Sequence, residues 1–412
     1  MRRRIKVLAA VAVVALGVSA TAGLSARSAD PGVTKSTIKI GGTFPLTGPA
    51  ALYGTIPYAD KAYYEWYFAK HKINGRKIDW IFYDDQYDPS QTVPLTQKLV
   101  QQDHVFAVVG TLGTAPNLAI RPYLNKKKVP QVLIATGDPF WDTQYKKYPW
   151  TMGGLATYSG EAKLMANFIN AKVPQAKLGI LYQNDAYGQV YLKSLRKYLG
   201  AKGTSKIVDE EPFDVSAPDV TQQMLKLKAS GANVFYDIAT PKPSITALVT
   251  ATKIGWHPAA TFVNGVSAST TFMVLAARSG ADISGAISAT NGPNPDDPAN
   301  ASLPIIKQYK AIMAKYYPKG DVGDADNFAA FGGAWLTIYA LQHAGNPPTR
   351  AGLMKALTHL DVKNDPYLFK GAHIKTTPKE RFIYDQSRLI RWNGGATGVW
   401  KPFGPLVGGL RG

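Results

Sequence analysis

The 412-residue chain contains no cysteine. This absence excludes disulfide bonds, zinc-thiolate sites, cysteine nucleophiles and a lipid-modified N-terminal cysteine. Histidine is scarce, with six residues, and none has the paired spacing of a metal-binding motif. The sequence also lacks a P-loop, a GxGxxG turn and a GxSxG nucleophile elbow. We therefore expect a protein that is not an enzyme and that needs neither cofactor nor metal.

Acidic residues are the minority charge, with 28 against 47 basic residues and a formal net charge of +19. Five of the basic residues lie in the first 29 positions, which leaves 42 against 28 and a net charge of +14 for the remainder. The lysines form short, scattered runs without an arginine-rich stripe. We interpret them as a solvated surface and expect no nucleic-acid partner.

The first 29 residues have the layout of a secretory signal. Four basic residues within the first six positions precede an apolar run over residues 7–18, and small residues follow up to Ala29. The apolar run is shorter than the roughly 20 residues that a membrane-spanning helix needs. We therefore expect cleavage after Ala29 and an exported protein, periplasmic or otherwise extracytoplasmic.

Strand-like apolar runs alternate with helix-length segments from residue 37 onward, a pattern typical of parallel sheets covered by helices. The alternation occurs twice, so we predict an α/β fold with two similar, doubly wound parallel-sheet lobes. The predicted strands are residues 38–44, 78–83, 105–109, 131–135, 178–182, 234–238 and 261–264, with a final pair around 382–392. The predicted helices are residues 50–71, 90–102, 115–124, 158–171, 189–199, 218–230, 244–254, 270–277, 303–317, 328–343 and 350–360.

Small and hydroxylated residues follow four of the predicted strands. The segments are TFPLTGPAALYG, GTLGT, ATGD and NDAYG, which begin at residues 43, 110, 135 and 184. Open α/β sheets bind ligands at the carboxyl ends of their strands, where helix N-termini and backbone amides converge. We therefore predict a small-molecule site at this edge, with hydroxyls and amides that hold a carboxylate.

The order and spacing of the motifs resemble the periplasmic binding proteins of branched-chain amino acid ABC transporters, the leucine/isoleucine/valine-binding type. The motifs are an export signal, TFPLTGPAALYG, YDDQYDPSQ, VVGTLGT, and DAYG after LGILYQN. The resemblance implies two lobes that close over a ligand and are joined by a three-stranded hinge. It places residues 30–155 plus 286–378 in the first lobe and residues 156–285 plus 379–412 in the second. It also implies a monomer whose partners are a small-molecule ligand and the permease and ATPase of an ABC transporter.

Five ligand contacts follow from the resemblance. Tyr53 corresponds to a first-lobe tyrosine and Tyr187 to a tyrosine of the second lobe. Thr114 corresponds to the hydroxyl that binds the ligand carboxylate, and Ala135 to a backbone carbonyl that contacts the ligand amine. Phe328 corresponds to an aromatic wall of the site.

Three positions depart from the leucine-type pattern. Gly137, next to Thr136, stands where a second carboxylate-binding threonine is expected, so any anchor there is its backbone amide. Ala239 replaces a tyrosine of the second lobe. Asn264 stands where an acidic residue would neutralise the ligand ammonium. All four residues remain candidate ligand contacts.

The neutral side chain at Asn264 bears on the expected ligand. A buried ammonium without an acidic partner is disfavoured by several kcal/mol. This favours an aromatic or short aliphatic carboxylate without an ammonium group, although Asp237 or Asp185 remains an alternative partner for an amino acid-like ligand. For each tyrosine the alternative role is packing between the lobes, and for Thr114 it is a helix cap.

The expected function is that of the solute-binding component of an ABC importer, which delivers its ligand to a permease. One alternative is a ligand sensor with the same lobes that presents its ligand to a receptor. The other is a secreted hydrolase, which requires a nucleophile, a base and an orienting acid that meet in the cleft.

Overall fold

The computed structural model describes residues 30–411. The secretory signal expected over residues 1–29 therefore lies outside the described residues. Within residues 30–411, no helix has both the length and the apolar character needed to cross a membrane.

The described chain forms fourteen strands and twelve α-helices. The strands are β1 (Thr37–Phe44), β2 (Lys77–Asp84), β3 (Ala107–Val109), β4 (Gln131–Ile134), β5 (Thr151–Gly153), β6 (Leu178–Gln183), β7 (Ile207–Phe213), β8 (Val234–Ile238), β9 (Ala260–Val263), β10 (Ile287–Thr290), β11 (Asp361–Val362), β12 (Ile374–Lys375), β13 (Ser387–Asn393) and β14 (Val399–Val407). The helices are α1 (Ile56–Phe68), α2 (Pro89–Gln101), α3 (Thr114–Lys126), α4 (Phe140–Thr143), α5 (Tyr158–Lys172), α6 (Ala186–Thr204), α7 (Thr221–Ala229), α8 (Pro241–Lys253), α9 (Thr270–Arg278), α10 (Pro304–Tyr316), α11 (Ala325–Gln342) and α12 (Arg350–Leu357).

The first lobe is built on a five-stranded sheet in the order β2-β1-β3-β4-β5, and all of its neighbouring strands are parallel. Ile38 and Ile40 of β1 are completely buried, as expected for a central parallel strand covered on both faces. Helices α10, α11 and α12 contribute to the core of this lobe. The ring of Tyr63 on α1 packs edge-on against Phe331 of α11, with 5.2 Å between centroids.

The second lobe is built on a seven-stranded sheet in the order β14-β13-β10-β9-β8-β6-β7. The five strands from β10 to β7 pair in parallel, and β13 and β14 are antiparallel additions. The α/β class and the two lobes with parallel sheets, predicted from the sequence, are confirmed by this arrangement.

Strands β5, β7, β10, β11, β12 and β14 were absent from the prediction. Strands β7 and β14 are the two edges of the second sheet, and each contains proline, which edge strands tolerate because an outward-facing edge needs no N–H donor. Only β13 of the final predicted pair lies near residues 382–392, and its partner is β14. Because β10 pairs with β9 and β13, residues up to Thr290 belong to the second sheet, beyond the lobe boundary expected at residue 286.

The single helix predicted over residues 50–71 is divided in the structure. A 3₁₀ turn, Ala51–Thr55, precedes α1, and Pro57 occupies the first turn of that helix. Proline has no N–H to donate to the preceding turn but fits a helix N-terminus. The division leaves Tyr53 on a short turn between β1 and α1.

The chain passes between the lobes three times. The passages lie between β5 and α5, between β10 and α10, and between β12 and β13. They place the carboxyl ends of β1, β3 and β4 opposite the carboxyl ends of β6, β8 and β9.

Candidate ligand-binding site

A cavity of about 260 Å³ lies between the two lobes. The first lobe lines it with the segments that follow β1, β3 and β4 and with one face each of α1 and α11. The second lobe lines it with the first turns of α5 and α6 and with the segments that follow β8 and β9. This is the edge of the sheets that the sequence predicted to hold the site.

Tyr53 lines the cavity and also reaches across it. Its hydroxyl donates a hydrogen bond to the Val266 carbonyl of the second lobe, over 3.0 Å. Its ring packs edge-on against Phe272 of α9, with 6.4 Å between centroids. Since only 5% of Tyr53 is exposed, the two lobes are in contact at this lip of the cleft.

Further hydrogen bonds join the lobes outside Tyr53. Ser269 of the second lobe donates to the Asp324 carboxylate at 2.8 Å, and Thr271 donates to Asp321 at 2.7 Å. Asp324 also caps the N-terminus of α11 by accepting the Asp326 N–H. The structure is therefore that of a closed cleft.

Thr114 and Thr136 stand behind the cavity wall. The Thr114 and Thr136 hydroxyls lie 2.5 Å apart, and the Thr136 hydroxyl is 3.1 Å from the Tyr158 hydroxyl. Both threonines are buried, and neither lines the cavity. Their predicted contact with a ligand stays a prediction, and the geometry instead gives them a hydroxyl chain that ends at Tyr158, which does line the cavity.

The turn that leads into α3 depends on Gly113. This residue has a φ of +99°, and a Cβ on it would lie 2.7 Å from the Tyr87 ring. Its N–H donates to the Ala135 carbonyl at 3.4 Å, and the Leu112 N–H donates to the Thr43 carbonyl at 3.2 Å. Ala135 lines the cavity, and its carbonyl already accepts this bond within the first lobe, so its contact with a ligand stays a prediction.

The need for a glycine at position 137 is explained by the nearby passage of the chain between the lobes. A Cβ at this position would lie 2.6 Å from the Ala156 carbonyl oxygen and 2.9 Å from the Tyr158 backbone nitrogen. The Gly137 carbonyl accepts the Tyr158 N–H at 2.8 Å. A threonine therefore has no room here, and Gly137 does not line the cavity.

Tyr187 lines the second-lobe side of the cavity. It lies in the first turn of α6, where the Asp185 carboxylate accepts its N–H at 2.9 Å. Its ring centroid is 4.9 Å from that of Tyr158. Its hydroxyl donates to the Ala239 carbonyl over a long 3.5 Å, so it keeps capacity for a second partner.

Ala239 and Asn264 lie behind this wall and do not line the cavity. The Asn264 amide donates to the Ala239 carbonyl at 2.8 Å and to the Asp237 carbonyl at 3.2 Å. The Ser267 hydroxyl donates to the same Ala239 carbonyl at 2.5 Å. Asn264 therefore joins the ends of β8 and β9, a role for which an amide N–H is required and a carboxylate is unsuited.

Phe328 lines an adjoining cavity of about 160 Å³ instead of the main one. The two cavities share wall residues from α11 and from the segment after β10. The aromatic wall expected at Phe328 therefore borders a side chamber of the cleft.

Three acidic residues that the sequence reasoning missed line the main cavity: Asp60, Glu161 and Asp326. Asp60 lies on α1 between Ile56 and Tyr64, which also line the cavity. The i, i+4, i+8 spacing places all three on one helix face, and this was the available signal. Glu161 and Asp326 lie in first helical turns, where an acid is ordinarily interpreted as a partner of the helix dipole.

Glu161 faces the cavity from the second lobe. Its carboxylate accepts the Tyr191 hydroxyl at 2.8 Å and the Gly265 N–H at 2.6 Å. Burial raises the pKa of Glu161 to about 7, and these two hydrogen bonds oppose the rise.

Asp60 and Asp326 face the cavity from the first lobe. Burial raises the pKa of Asp60 well above its usual range, and no hydrogen-bond donor within residues 30–411 lowers it. Burial, followed by repulsion from Asp324, raises the pKa of Asp326 well above its usual range. One oxygen of Asp326 is buried without a hydrogen-bond partner in the described chain.

The acids considered as alternative ligand partners lie elsewhere. Asp237 is fully buried on β8 and does not line the cavity. Asp185 caps α6 and also lies outside the lining. Among the described residues, no cluster of acids and histidines has the geometry of a metal site.

Comparison with known proteins places the chain among binding proteins. A family model described as "Periplasmic binding protein" matches residues 37–396. An "Amino acid binding protein" of Pseudomonas aeruginosa is 26% identical over 228 residues, which cover 54% of this chain and only 58% of that relative. A "Leu/Ile/Val-binding protein homolog 2" of Brucella abortus is 25% identical over 359 residues, which cover 84% of this chain and 92% of that protein.

A similar solved structure is that of a branched chain amino acid ABC transporter protein from Thermus thermophilus with bound valine. The TM-score is 0.78 at 16% sequence identity, and the match covers 92% of this chain and 98% of the other. At this identity the likeness establishes the fold.

Proposed function

Because the chain belongs to the periplasmic binding protein family, we propose that it is the extracytoplasmic solute-binding component of an ABC importer. It captures a small organic molecule between its lobes, acts as a monomer and delivers the molecule to a membrane permease with an ATPase. The observation that carries this proposal is the cavity of about 260 Å³ that both lobes enclose.

Closure supplies the mechanism. A ligand in the cavity touches both lobes only when the cleft is closed, so its affinity for the closed form exceeds its affinity for the open form and shifts the population. The bonds from Tyr53 to Val266 and from Thr271 to Asp321 then hold the lips together. The permease recognises the closed, loaded form.

The arrangement of the cavity favours binding over hydrolysis. Within the described residues, no histidine lines either cavity, so the usual base of a serine or water nucleophile has no counterpart. The threonine hydroxyls near the wall are bonded to one another. We propose accordingly that the protein carries out no chemistry on its ligand.

The proposal is tested by screening the protein for ligands and for closure together. Amino acids, carboxylates, amides and amines are added in a thermal-shift assay, in which a ligand at 100 times its dissociation constant stabilises the folded form by about 2.7 kcal/mol. Small-angle scattering of the protein bound to the best ligand should then give a smaller radius of gyration than scattering of the ligand-free protein. A ligand that binds without compaction would contradict the closure mechanism.

Delivery needs its own measurement. The loaded protein should stimulate the ATPase of its reconstituted permease, and the ligand-free protein should not. Stimulation of a receptor kinase instead of a permease would assign the ligand-sensor role.

A further inference from the structure

The walls of the main cavity combine carboxyl groups with tyrosines and carry no positive charge. No lysine, arginine or histidine of the described residues lines either this cavity or the side chamber. The carboxyl groups belong to Asp60, Glu161 and Asp326, and the tyrosines are Tyr53, Tyr64, Tyr87, Tyr158 and Tyr187.

The first-lobe carboxyl groups lack partners. Asp60 is 9% exposed and lines the cavity, and no donor of the described chain compensates its burial. Asp326 has a buried oxygen without a partner. A buried carboxyl group without a hydrogen-bond donor is unfavourable unless something outside the chain supplies the donor. Both residues line the cavity.

The second-lobe carboxyl group is only partly satisfied by the protein. Glu161 accepts hydrogen bonds from Tyr191 and Gly265 at the same oxygen, Oε1. Its other oxygen makes no hydrogen bond within the described residues and faces the cavity wall near Gly265. Because Glu161 belongs to the second lobe and Asp60 and Asp326 to the first, closure places the three carboxyl groups around one cavity.

The tyrosine rings reinforce the preference for a cation. The faces of aromatic rings attract ammonium groups, and the attraction is strongest where water is excluded. Tyr53 is 5% and Tyr187 is 1% exposed, so both rings are largely withdrawn from water.

The same cavity is an unfavourable environment for an anionic ligand. The hydroxyls of Thr114 and Thr136 bind each other, and the Leu112, Gly113 and Ala135 amides are bonded to carbonyls of the first lobe. A ligand carboxylate would therefore enter a cavity that three carboxyl groups and no positive side chain line, and the two threonine hydroxyls expected to bind it are bonded to one another.

We propose that the ligand is an organic amine that enters the cleft as a cation, carries no carboxylate, and is held through its ammonium group by Asp60 and Asp326 of the first lobe, with Glu161 added on closure. The proposal rests on the solute-binding function proposed above and names the ligand class of that site. It reverses the expectation drawn from Asn264, because the acids that can neutralise an ammonium come from α1, α5 and α11 instead of β9.

Matched compounds test the charge requirement. Isoamylamine, leucine and isocaproate share an isopentyl group and carry on it an amine, both an amine and a carboxylate, or a carboxylate alone. Tyramine, tyrosine and hydroxyphenylpropionate form the corresponding series on a hydroxyphenylethyl group. In calorimetric titrations of the ligand-free protein, we expect the amine of one series to bind at least tenfold more tightly than its two partners. Tighter binding of the amino acid or of the carboxylate in both series would overturn the proposal.

Asp60→Asn tests the role of the first lobe. The neutral isostere should weaken amine binding by about 30-fold, because removing one member of a buried charge pair is strongly unfavourable. Glu65→Gln is the matched control, since Glu65 lies on the same helix with an exposed side chain and pairs with Lys61. The Glu65→Gln variant should bind the amine with the same affinity as the parent protein. If Asp60→Asn does not fold, Asp326→Asn takes its place with the same expected loss.

The two proposals fail in different ways. If no compound of any charge type binds or compacts the protein, the solute-binding function itself is contradicted. If carboxylates or amino acids bind and close the cleft while amines do not, only the assignment of the ligand class is overturned. Equal affinity of the Asp60→Asn variant and the parent for the amine would also overturn that assignment.

Discussion

Asp237 is a carboxyl group buried at the end of β8, behind the ligand cleft. Its one hydrogen-bond donor in the described chain is the Ser244 hydroxyl, and its other oxygen has no partner. Burial raises the pKa of Asp237 to about 7. Between the ordinary aspartate pKa and this value, the folded protein holds a proton that the unfolded chain has released. Stability therefore falls as the pH rises through this interval.

Replacing Asp237 by asparagine should remove this pH dependence. Between about pH 5 and about pH 8, we expect the free energy of unfolding of the parent to decline by about 2 kcal/mol relative to Asp237→Asn. Denaturant titrations across this range measure the difference. Asp79→Asn, an equivalent change at an exposed position of β2, is the control. A difference that stays constant with pH would contradict the prediction.

The hydroxyl group of Tyr53 links the two lobes through one hydrogen bond. Tyr53→Phe keeps the ring against Phe272 but removes the hydrogen bond to Val266. A net hydrogen bond is worth about 1 kcal/mol, so we expect ligand binding about fivefold weaker, with an unchanged melting temperature of the ligand-free protein. Tyr58→Phe is the control, because Tyr58 is 42% exposed and stacks on Tyr317 within the first lobe. Equal losses in the two variants would exclude a specific role for the lip contact.

At the residue level, motifs located the cleft better than they assigned its chemistry. Tyr53, Ala135 and Tyr187 line the cavity, and their positions follow from local turns that the sequence displays. Asn264 could not be placed from sequence, because its role depends on the carbonyl of Ala239 on a neighbouring strand. Asp60 was missed because an acid within a helix is ordinarily solvated, whereas it is buried in a helix, α1, that packs against the helix α11, far away in sequence.

Among the structural elements, the passage after β5 constrains the strand end at Gly137. Gly137→Ala should destabilise the protein by about 2 kcal/mol, since its Cβ meets backbone atoms that cannot move independently. The nearest of these is the Ala156 carbonyl oxygen at 2.6 Å. Thermal unfolding measures the loss.

Gly395→Ala provides the comparison for this variant. A Cβ at Gly395 meets nothing within 4 Å, and the residue is exposed. We expect a change within about 0.5 kcal/mol for that substitution. Equal effects at the two positions would mean that the clash at Gly137 is relieved by a shift of the passage.

The elements that the sequence predicted correctly are those with a clear hydrophobic period. Strand β1 and helix α10 are examples, with buried residues at the expected intervals. Strand β7 was not predicted because three acidic residues and Pro212 interrupt its apolar pattern. An edge strand tolerates such residues. Strand β10 has one large apolar residue, Ile287, followed by small or hydroxylated residues, so no apolar run marks it, and it is fixed by pairing with β9 and β13.

For the whole molecule, the sequence resemblance to branched-chain amino acid binding proteins is confirmed by the family match over residues 37–396 and by the shared fold. The succession of motifs was sufficient for this because each marks a strand end in the same order. Strand β10 lies beyond the lobe boundary expected at residue 286 and joins the second sheet by pairing with β9 and with the distant β13.

The apolar contacts at the mouth of the cleft form a lip cluster of Phe44, Tyr53, Tyr87 and Leu112 from the first lobe with Phe272 from the second. Opening the cleft hydrates these side chains, and closing it returns them to one another. Burial of apolar surface lowers the heat capacity, so ligand binding should have a negative heat-capacity change and a binding enthalpy that becomes more favourable on warming. Cooling weakens the hydrophobic stabilisation of the closed cleft by the lip cluster, so closure over the ligand should become less favourable at lower temperature.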